Sequence, residues 1–441
     1  MIKHVETLAR KLALALPALL LALTALGVPR AASANASAPA NVTAAAPVGG
    51  IEAMSCLGPK SCIGLGTYAT PVHGVSAFLR TWNGTAWGPI RDPLHASASD
   101  GLNAISCISA TFCVAVGGRT TGSEDNTSPL VATWNGSRWS ETVPPAPAST
   151  IQDEELTSVS CASTRLCFAV GAYYLVGNGA VTDLDLTEGF VDRWNGTKWT
   201  ASYKTTPGPK DHQTGFLDEV SCRPSASCVL VGSTYQSIYA VPNVGADVQT
   251  YRPVALRWNG AKWAASTVPI SSGQHGALTA VSCWSLSRCM AVGEEYASQP
   301  VTDPTPAKIT LIAERWNGAH WSVATLPTSG TDPYLTDISC ASATTCLTVG
   351  SAATAKDNRV FYSLADAWNG KTWRAIPVAT PKDGTGKTGP NPNSSELVDV
   401  TCTSARECVA FGLAGPLFTS SALTPFAELY TGTRLSNIAD S

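Results

Sequence analysis

Histidine is scarce in this chain, at six residues of 441. No Gly-x-Ser-x-Gly elbow, His-Glu-x-x-His pair or phosphate-binding glycine loop occurs. The common serine-hydrolase, zinc-protease and nucleotide chemistries therefore have no residues to stand on. Charge is thin as well. Charged residues make up 14% of the chain, and the formal net charge is −3. Without a basic stripe, nucleic acid and anionic membranes are poor candidates as partners. Helix-period stretches and helix-capping patterns are missing throughout the repeated part. Unpaired cysteine is missing too, since the fourteen cysteines divide evenly, leaving none for a nucleophile or a thiol-linked cofactor. No cofactor is expected.

Long apolar runs are limited to one, Leu12 to Val28, behind Lys3, Arg10 and Lys11. Pro17 interrupts it, and Ala32-Ser33-Ala34 follows as a small-x-small cleavage pattern. Residues 1–34 therefore read as a secretory signal peptide. A retained span would need about 20 apolar residues, and no second run follows, so stable membrane insertion is not expected. Residues 35–50, rich in Ala, Asn and Pro, read as a flexible lead-in.

What the chain has in abundance is repetition. Seven cysteine pairs share one spacing: Cys56/Cys62, Cys107/Cys113, Cys161/Cys167, Cys222/Cys228, Cys283/Cys289, Cys340/Cys346 and Cys402/Cys408. In an exported protein, even numbers at fixed spacing mean disulfides. A zinc site would need four converging ligands, and each copy offers two sulfurs without an attendant histidine. Each bridge closes a short loop and contributes about 2 kcal/mol in a chain-entropy account. Such bridges are expected to stiffen the hairpins without building the core. The pairs recur about every 58 residues, a period that means a solenoid or a propeller.

Each copy holds four short apolar segments rich in β-branched and aromatic residues and bounded by turn residues. In the second copy they are LNAISC, CVAVG, PLVATW and RWSETV, read as four strands. Cysteines flanking a five-residue loop suit a hairpin of the first two strands. The glycine four residues after each second cysteine (Gly66, Gly117, Gly171, Gly232, Gly293, Gly350 and Gly412) is expected to end the second strand. Asn-Gly between two tryptophans marks a hairpin of the third and fourth, both residues tolerating positive φ. The tryptophans, such as Trp82 and Trp87, fall on one face and should pack against the next unit. The seventh copy keeps apolar character with Tyr430 and Leu435 in their place.

Seven such units predict an all-β, seven-bladed β-propeller over residues 51–441. It has four antiparallel strands and one intra-blade disulfide per blade, with blades starting near residues 51, 102, 156, 217, 278, 335 and 397. A linear solenoid would need polar capping repeats, which the end copies lack. Closure is expected mainly by packing of the first blade on the seventh. Asn41 to Ala44 could alternatively supply a strand there.

The pattern Leu-x-x-Val-Ser-Cys, Cys-x-Ala-Val-Gly, Trp-Asn-Gly-x-x-Trp resembles repeats of secreted actinobacterial β-propeller proteins. More distantly it is similar to photosystem-assembly-factor and Asp-box propellers. The likeness covers residues 51 to 435. The aspartate of the Asp-box is replaced by tryptophan, as in Trp194-Asn195-Gly196. The resemblance implies a fold and carries no catalytic residue, because propellers serve many functions.

Strand parity places all variation in connection length on one face, called the top here. The first hairpin turn never varies and the second is constant in every intact copy. The stretch from strand-two Gly to Trp is 16 residues in the first copy (Gly66 to Trp82) and 26 in the fourth (Gly232 to Trp258). Loops on a rigid scaffold commonly carry function. Nine of the eleven tyrosines map there: Tyr68, Tyr173, Tyr174, Tyr235, Tyr239, Tyr251, Tyr296, Tyr334 and Tyr362. Tyr68, Tyr173, Tyr235 and Tyr296 follow the strand-two glycine, with Arg119 and Glu295 at the matching place in the second and fifth copies. Such a rim suits sugar stacking or peptide grip, although tyrosine also ends strands and packs under loops.

Carboxylates gather at the start of the first strand: Glu52, Asp218, Glu219, Asp337 and Asp399. Glu219, Asp337 and Asp399 share the position three before the first cysteine. They could hold a cation or act as an acid/base pair on a glycan, or simply be solvated strand ends. Asp183, Asp185 and Glu188 lack the spacing of a calcium loop, and no metal is assigned. His73, His95, His212 and His275 map to the top and His320 to a bottom turn. The expected function is secreted, non-enzymatic recognition of a glycan or extracellular protein by a monomer. The candidate ligand residues are Tyr68, Arg119, Tyr173, Tyr174, Tyr235, Glu295, Tyr296, Glu219, Asp337 and Asp399. The alternatives are a polysaccharide hydrolase or lyase on the same face, and a structural envelope component.

Overall fold

The computed structural model describes residues 51–58, 60–70, 74–84, 87–91, 99–120, 127–144, 151–175, 186–202, 215–224, 227–238, 248–297, 308–327, 330–354, 357–379, 394–415 and 424–437. The signal-peptide reading, the lead-in and the Asn41 to Ala44 strand lie outside them. No helix among the described residues is long and apolar enough to cross a membrane.

Seven antiparallel units follow one another in the chain, each with its strands hydrogen-bonded in sequence order. Blade 5 is representative, with strands Gln274–Ser285, Arg288–Ala297, Ile309–Trp316 and Trp321–Val323. Blade 1 departs from the rule. Its outer segment, which contains Pro89 and so lacks one amide donor, is reduced to the isolated bridges Leu79–Arg91 and Trp82–Trp87. The first strands are Ile51–Gly58, Ser99–Ser109, Ile151–Ser163, Leu217–Arg223, Gln274–Ser285, Thr331–Ser342 and Ser394–Ser404. Each packs on the first strand of the next blade, and the last packs on Ile51–Gly58. The ring is therefore closed, with the first strands innermost.

The sequence motif is one row across each blade. In blade 2, Cys107 pairs with Cys113, Cys113 with Trp134, and Trp134 with Trp139. Blade 7 has the same row as Cys402, Cys408, Tyr430 and Leu435. All seven cysteine pairs are bridged within their own blade: Cys56–Cys62, Cys107–Cys113, Cys161–Cys167, Cys222–Cys228, Cys283–Cys289, Cys340–Cys346 and Cys402–Cys408. Their Cα separations are 3.9 to 4.1 Å. The six tryptophan pairs have centroids 5.4 to 5.8 Å apart. They face the preceding blade, not the next one. Trp368 and Trp373 of blade 6, for example, pack among Met290, Leu311 and Ala313 of blade 5. The following blade is met by the other face, where Arg193 and Arg257 reach across to the rings of Trp258 and Trp316 at 5.3 and 5.4 Å.

Three further local expectations need correcting. The first concerns the bridges, which were expected to leave the core to other residues. The second cysteine of every pair is instead buried: Cys62, Cys113, Cys167, Cys228, Cys289, Cys346 and Cys408. Each belongs to an apolar cluster shared by two adjoining blades. The reason is the place of the second strand, which is covered on both faces in the middle of its blade. A sulfur there packs as a small apolar group. These cysteines are core residues as well as staples.

The repeated glycine, secondly, does not end the second strand, which runs on to Thr120 in blade 2 and Ala297 in blade 5. It lies opposite a bulge in the first strand, between Leu102 and Ala104 in blade 2 and Leu278 and Ala280 in blade 5. A Cβ on Gly293 would stand 2.0 Å from the carbonyl oxygen of Ala277. Only glycine lets that backbone cross so closely. The third correction is in the Asn-Gly turns, where Gly136 has φ of +92° whereas the asparagines keep negative φ. Asparagine acts instead as a cap. The Asn135 Oδ1 accepts from the Ser137 and Arg138 amides, each at 3.0 Å.

The blades are also stitched near the channel. The serine before the first cysteine accepts a hydrogen bond from the first cysteine amide of the following blade. Ser55 meets Cys107, Ser106 meets Cys161, Ser160 meets Cys222, Ser221 meets Cys283, Ser282 meets Cys340 and Ser339 meets Cys402, at 2.9 to 3.1 Å. Closure between blades 7 and 1 rests on Ile51, Met54, Phe78 and Trp82 against Val409, Phe411 and Ala427. Blade 7 supplies all four of its own strands.

Candidate functional site

The bulge in each inner strand decides what the predicted carboxylates do. Residues just below it face the next blade and find its backbone. The Glu219 Oε2 accepts the Val281 amide at 2.7 Å, the Asp337 Oδ2 the Val400 amide at 2.7 Å, and the Asp399 Oδ2 the Met54 amide at 3.0 Å. Ser158 does the same in blade 3, accepting from Val220 at 3.3 Å. The bulged residue itself donates. Thr157, Thr279 and Thr336 reach the carbonyls of Leu217, Leu335 and Leu397 at 3.1, 2.9 and 2.8 Å. Burial, then the neighbouring Asp337 carboxylate, raise the Asp399 carboxyl well above its usual range, while the Met54 amide pulls it back. These groups are joints between blades.

The remaining candidates scatter. Tyr173 is 6% exposed and packs between blades 2 and 3, its ring 6.1 Å from Phe190. Arg119 forms an ion pair at 2.7 Å with Glu141 on the outer strand of its own blade. Glu295 is buried, and its Oε1 accepts the Ser271 amide at 3.0 Å. Tyr68, Tyr174 and Tyr235 stand on second strands in register with Ser76, Thr187 and Tyr251; their side chains fall outside the described residues, as do His73, His95, His212, Asp183 and Asp185. Tyr296 lies beside His275, with ring centroids 6.1 Å apart. Its phenol is held above the usual range by burial, then by Tyr251 and Glu294, against the Tyr251 backbone hydrogen bond. Burial and then the Arg252 charge hold the His275 ring below its usual value.

One convergence emerges from the ring itself. Tyr334 of blade 6 is pushed well above the usual phenol range by burial and then by the charges of Asp218, Glu294 and Glu396. These belong to blades 4, 5 and 7. Blades 4 and 6 do not adjoin, so the central channel is where their side chains sense one another. Tyr334 and Glu396 both precede the first cysteine by six residues, just above the bulge, and Glu294 follows the strand-two glycine. All lie at the strand ends from which the variable connections leave. The result is an acidic, hydroxyl-bearing channel mouth. Among the described residues no three His, Cys, Asp or Glu side chains come close enough to hold a metal. Tyr334 and Asp218 belong to sets visible in the sequence; Glu294 and Glu396 do not, and aligning the copies on their first cysteine is the signal that finds Glu396.

No known family profile matches the chain, and no curated protein is similar to it in sequence. Solved structures are similar in fold. An ulvan lyase of polysaccharide lyase family PL25, bound to -[GlcA(1-4)Rha3S]-, is 7% identical with a TM-score of 0.50, covering 85% of this chain and 91% of its own. YCF48 from Cyanidioschyzon merolae is 12% identical with a TM-score of 0.43, covering 87% and 96%. A protein of unknown function from Dyadobacter fermentans is 9% identical with a TM-score of 0.45, covering 74% and 93%. At these identities the likeness is one of fold.

Proposed function

We propose that the chain is an exported, non-enzymatic recognition propeller that holds a glycan or an extracellular protein segment at the channel mouth. The observation carrying this reading is the placement of Tyr334, Glu396 and Glu294 on blades 6, 7 and 5 at the strand ends above the bulge, where the variable connections leave, with the charges of Asp218, Glu294 and Glu396 all acting on Tyr334. The intermediate exposure of Tyr251, His275 and Tyr296 adds an aromatic surface beside it on blades 4 and 5. Seven disulfides fit an oxidising compartment. The acidic mouth favours neutral or basic ligands and disfavours polyanionic ones by like-charge repulsion. The competing enzymatic reading is weakened because Glu219, Asp337 and Asp399, its candidate acids, each hold a backbone amide of the adjoining blade.

The test is a glycan array, with neutral, amino and uronic sugars, and a panel of basic and acidic peptides, run beside a polysaccharide-degradation screen. Wild type should bind neutral or basic probes without releasing products. A Tyr334→Phe/Glu294→Gln/Glu396→Gln variant should lose that binding. Release of reducing or unsaturated ends that disappears with Asp337→Asn would overturn the reading in favour of an enzyme, and so would a binding profile that the triple variant leaves unchanged.

A further inference from the structure

In four blades the third strand carries an acid two residues before its last row: Asp192, Glu314, Asp366 and Glu428. Blades 1, 2 and 4 have Arg80, Ala132 and Leu256 there. Alternation along a strand puts this position on the face of the tryptophan pair, so each acid points into the contact with the preceding blade. They are exposed by 1%, 0%, 3% and 0%. Neither oxygen of Glu314 nor the Asp192 Oδ1 has a hydrogen-bond partner.

The groups around them supply no compensating charge. Asp192 is faced by Glu154 of its own inner strand and lies on the same strand as Glu188, which is in register with Tyr173; blade 2 presents Thr133. Glu314 has Glu295 on its own blade, while Arg257 of blade 4 is committed to the ring of Trp316 and the Gly318 carbonyl. Asp366 has Thr348 beside it in register; the facing side of blade 5 carries Arg315, but burial alone accounts for the state of the carboxyl, with no contribution from that charge. Glu428 faces the blade 6 side carrying Arg374, which donates to the Gly432 carbonyl at 3.0 Å.

We propose that these four carboxyl groups make the blade contacts proton-dependent, holding the ring tight while neutral and loosening contacts 2/3, 4/5, 5/6 and 6/7 when ionised. Buried acids that lack a cation stay protonated in preference to leaving water charged. Burial pushes Asp192 and Asp366 up to about 7, and Glu314 and Glu428 up to about 8. Glu154 adds to the rise at Asp192 and Glu295 at Glu314, and the Ala379 amide works against it at Glu428. Unfolded, the same groups ionise near 4. Between about pH 4 and 8 the folded chain therefore binds more protons than the unfolded one, and stability declines as pH rises through that window.

The experiment is thermal melting of the full chain from pH 5 to 9, followed by tryptophan fluorescence because the tryptophan pairs lie at the same contacts. The midpoint of wild type should fall across this range. An Asp192→Asn/Glu314→Gln/Asp366→Asn/Glu428→Gln variant should show a much shallower profile. A flat wild-type profile, or an unaltered slope in the variant, would overturn the proposal. If the quadruple variant does not fold, Glu314→Gln alone must narrow the gap between the midpoints at pH 5.5 and 8.5, and an unchanged gap refutes it equally.

Discussion

Replacing Gly117 by alanine places one methyl group where the fold has no room for it. Its Cβ would lie 2.0 Å from the Gly101 carbonyl oxygen and 2.8 Å from the Leu102 Cα. Ordinary contact is well over 1 Å longer. The atoms struck are backbone, so no rotamer change relieves the clash, and the bulged inner strand must move away from the second strand. Overpacking of this kind costs about 1–3 kcal/mol, and the rigidity of the obstacle puts Gly117→Ala at the upper end, about 3 kcal/mol. For a chain of this length, unfolding entropy converts that into a midpoint lowered by roughly 4 °C. Gly101→Ala is the internal control. It sits in the adjoining strand of the same blade, yet its Cβ would meet nothing within 4 Å. Alanine there should be neutral or stabilise by about 0.4–1 kcal/mol through the unfolded chain. Differential scanning calorimetry at pH 6 on both variants makes the comparison. Equal midpoints for the two would refute the claim that the bulge, and not strand propensity, is what requires the glycine.

Two further outcomes follow from the ring. Ser339→Ala removes the acceptor held by the Cys402 amide and should cost about 1 kcal/mol, whereas Ser339→Thr should retain most of the stability; chemical denaturation of both variants checks this. Because blade 1 closes on blade 7 through Ile51, Met54, Phe78, Val409 and Phe411, deleting residues 35–48 should barely change the melting temperature, and a drop of many degrees would mean that the N-terminal segment locks the ring.

The fold was legible because its determinants are local and repeated. Cysteine spacing, the Asn-Gly turn and four apolar segments per copy each act within one hairpin or one blade. The row of Cys, Cys, Trp and Trp follows directly from those spacings. The burial of Cys167 or Cys289 was not legible from spacing, because it depends on how deeply the second strand sits between two neighbouring blades. Nor was the direction in which the tryptophans face, since both neighbours of a blade offer apolar surfaces and only the stacking of twisted sheets distinguishes them. The serine before the first cysteine in blades 1 to 6 looks like ordinary strand composition because its partner amide is 52 to 63 residues away. The candidate site was less legible still. Glu219, Asp337 and Asp399 drew attention as acids at strand ends, but their partners, Val281, Val400 and Met54, are backbone amides that carry no sequence signature. Tyr334 gains meaning only when blades 4 to 7 are brought round the channel.

The bulge also divides each inner strand into two jobs. Below it, three positions contact the next blade: the bulged threonine of blades 3, 5 and 6 through its hydroxyl, the following residue of blades 3, 4, 6 and 7 through a carboxylate or serine oxygen, and the serine before the first cysteine in blades 1 to 6. Change there perturbs two blades at once, so these positions are poor places to vary a ligand contact. Above the bulge the strand-two glycine has already let the chains cross, and the residue six before the cysteine ranges from Gly101 and Ala277 to Tyr334 and Glu396. Side chains there can differ between blades without disturbing the stitching, and they sit where the connections of variable length begin. Rigidity below and freedom above is what a binding surface on a scaffold requires. That division leaves the positions above the bulge, and not the amide-bonded carboxylates, free to differ from blade to blade.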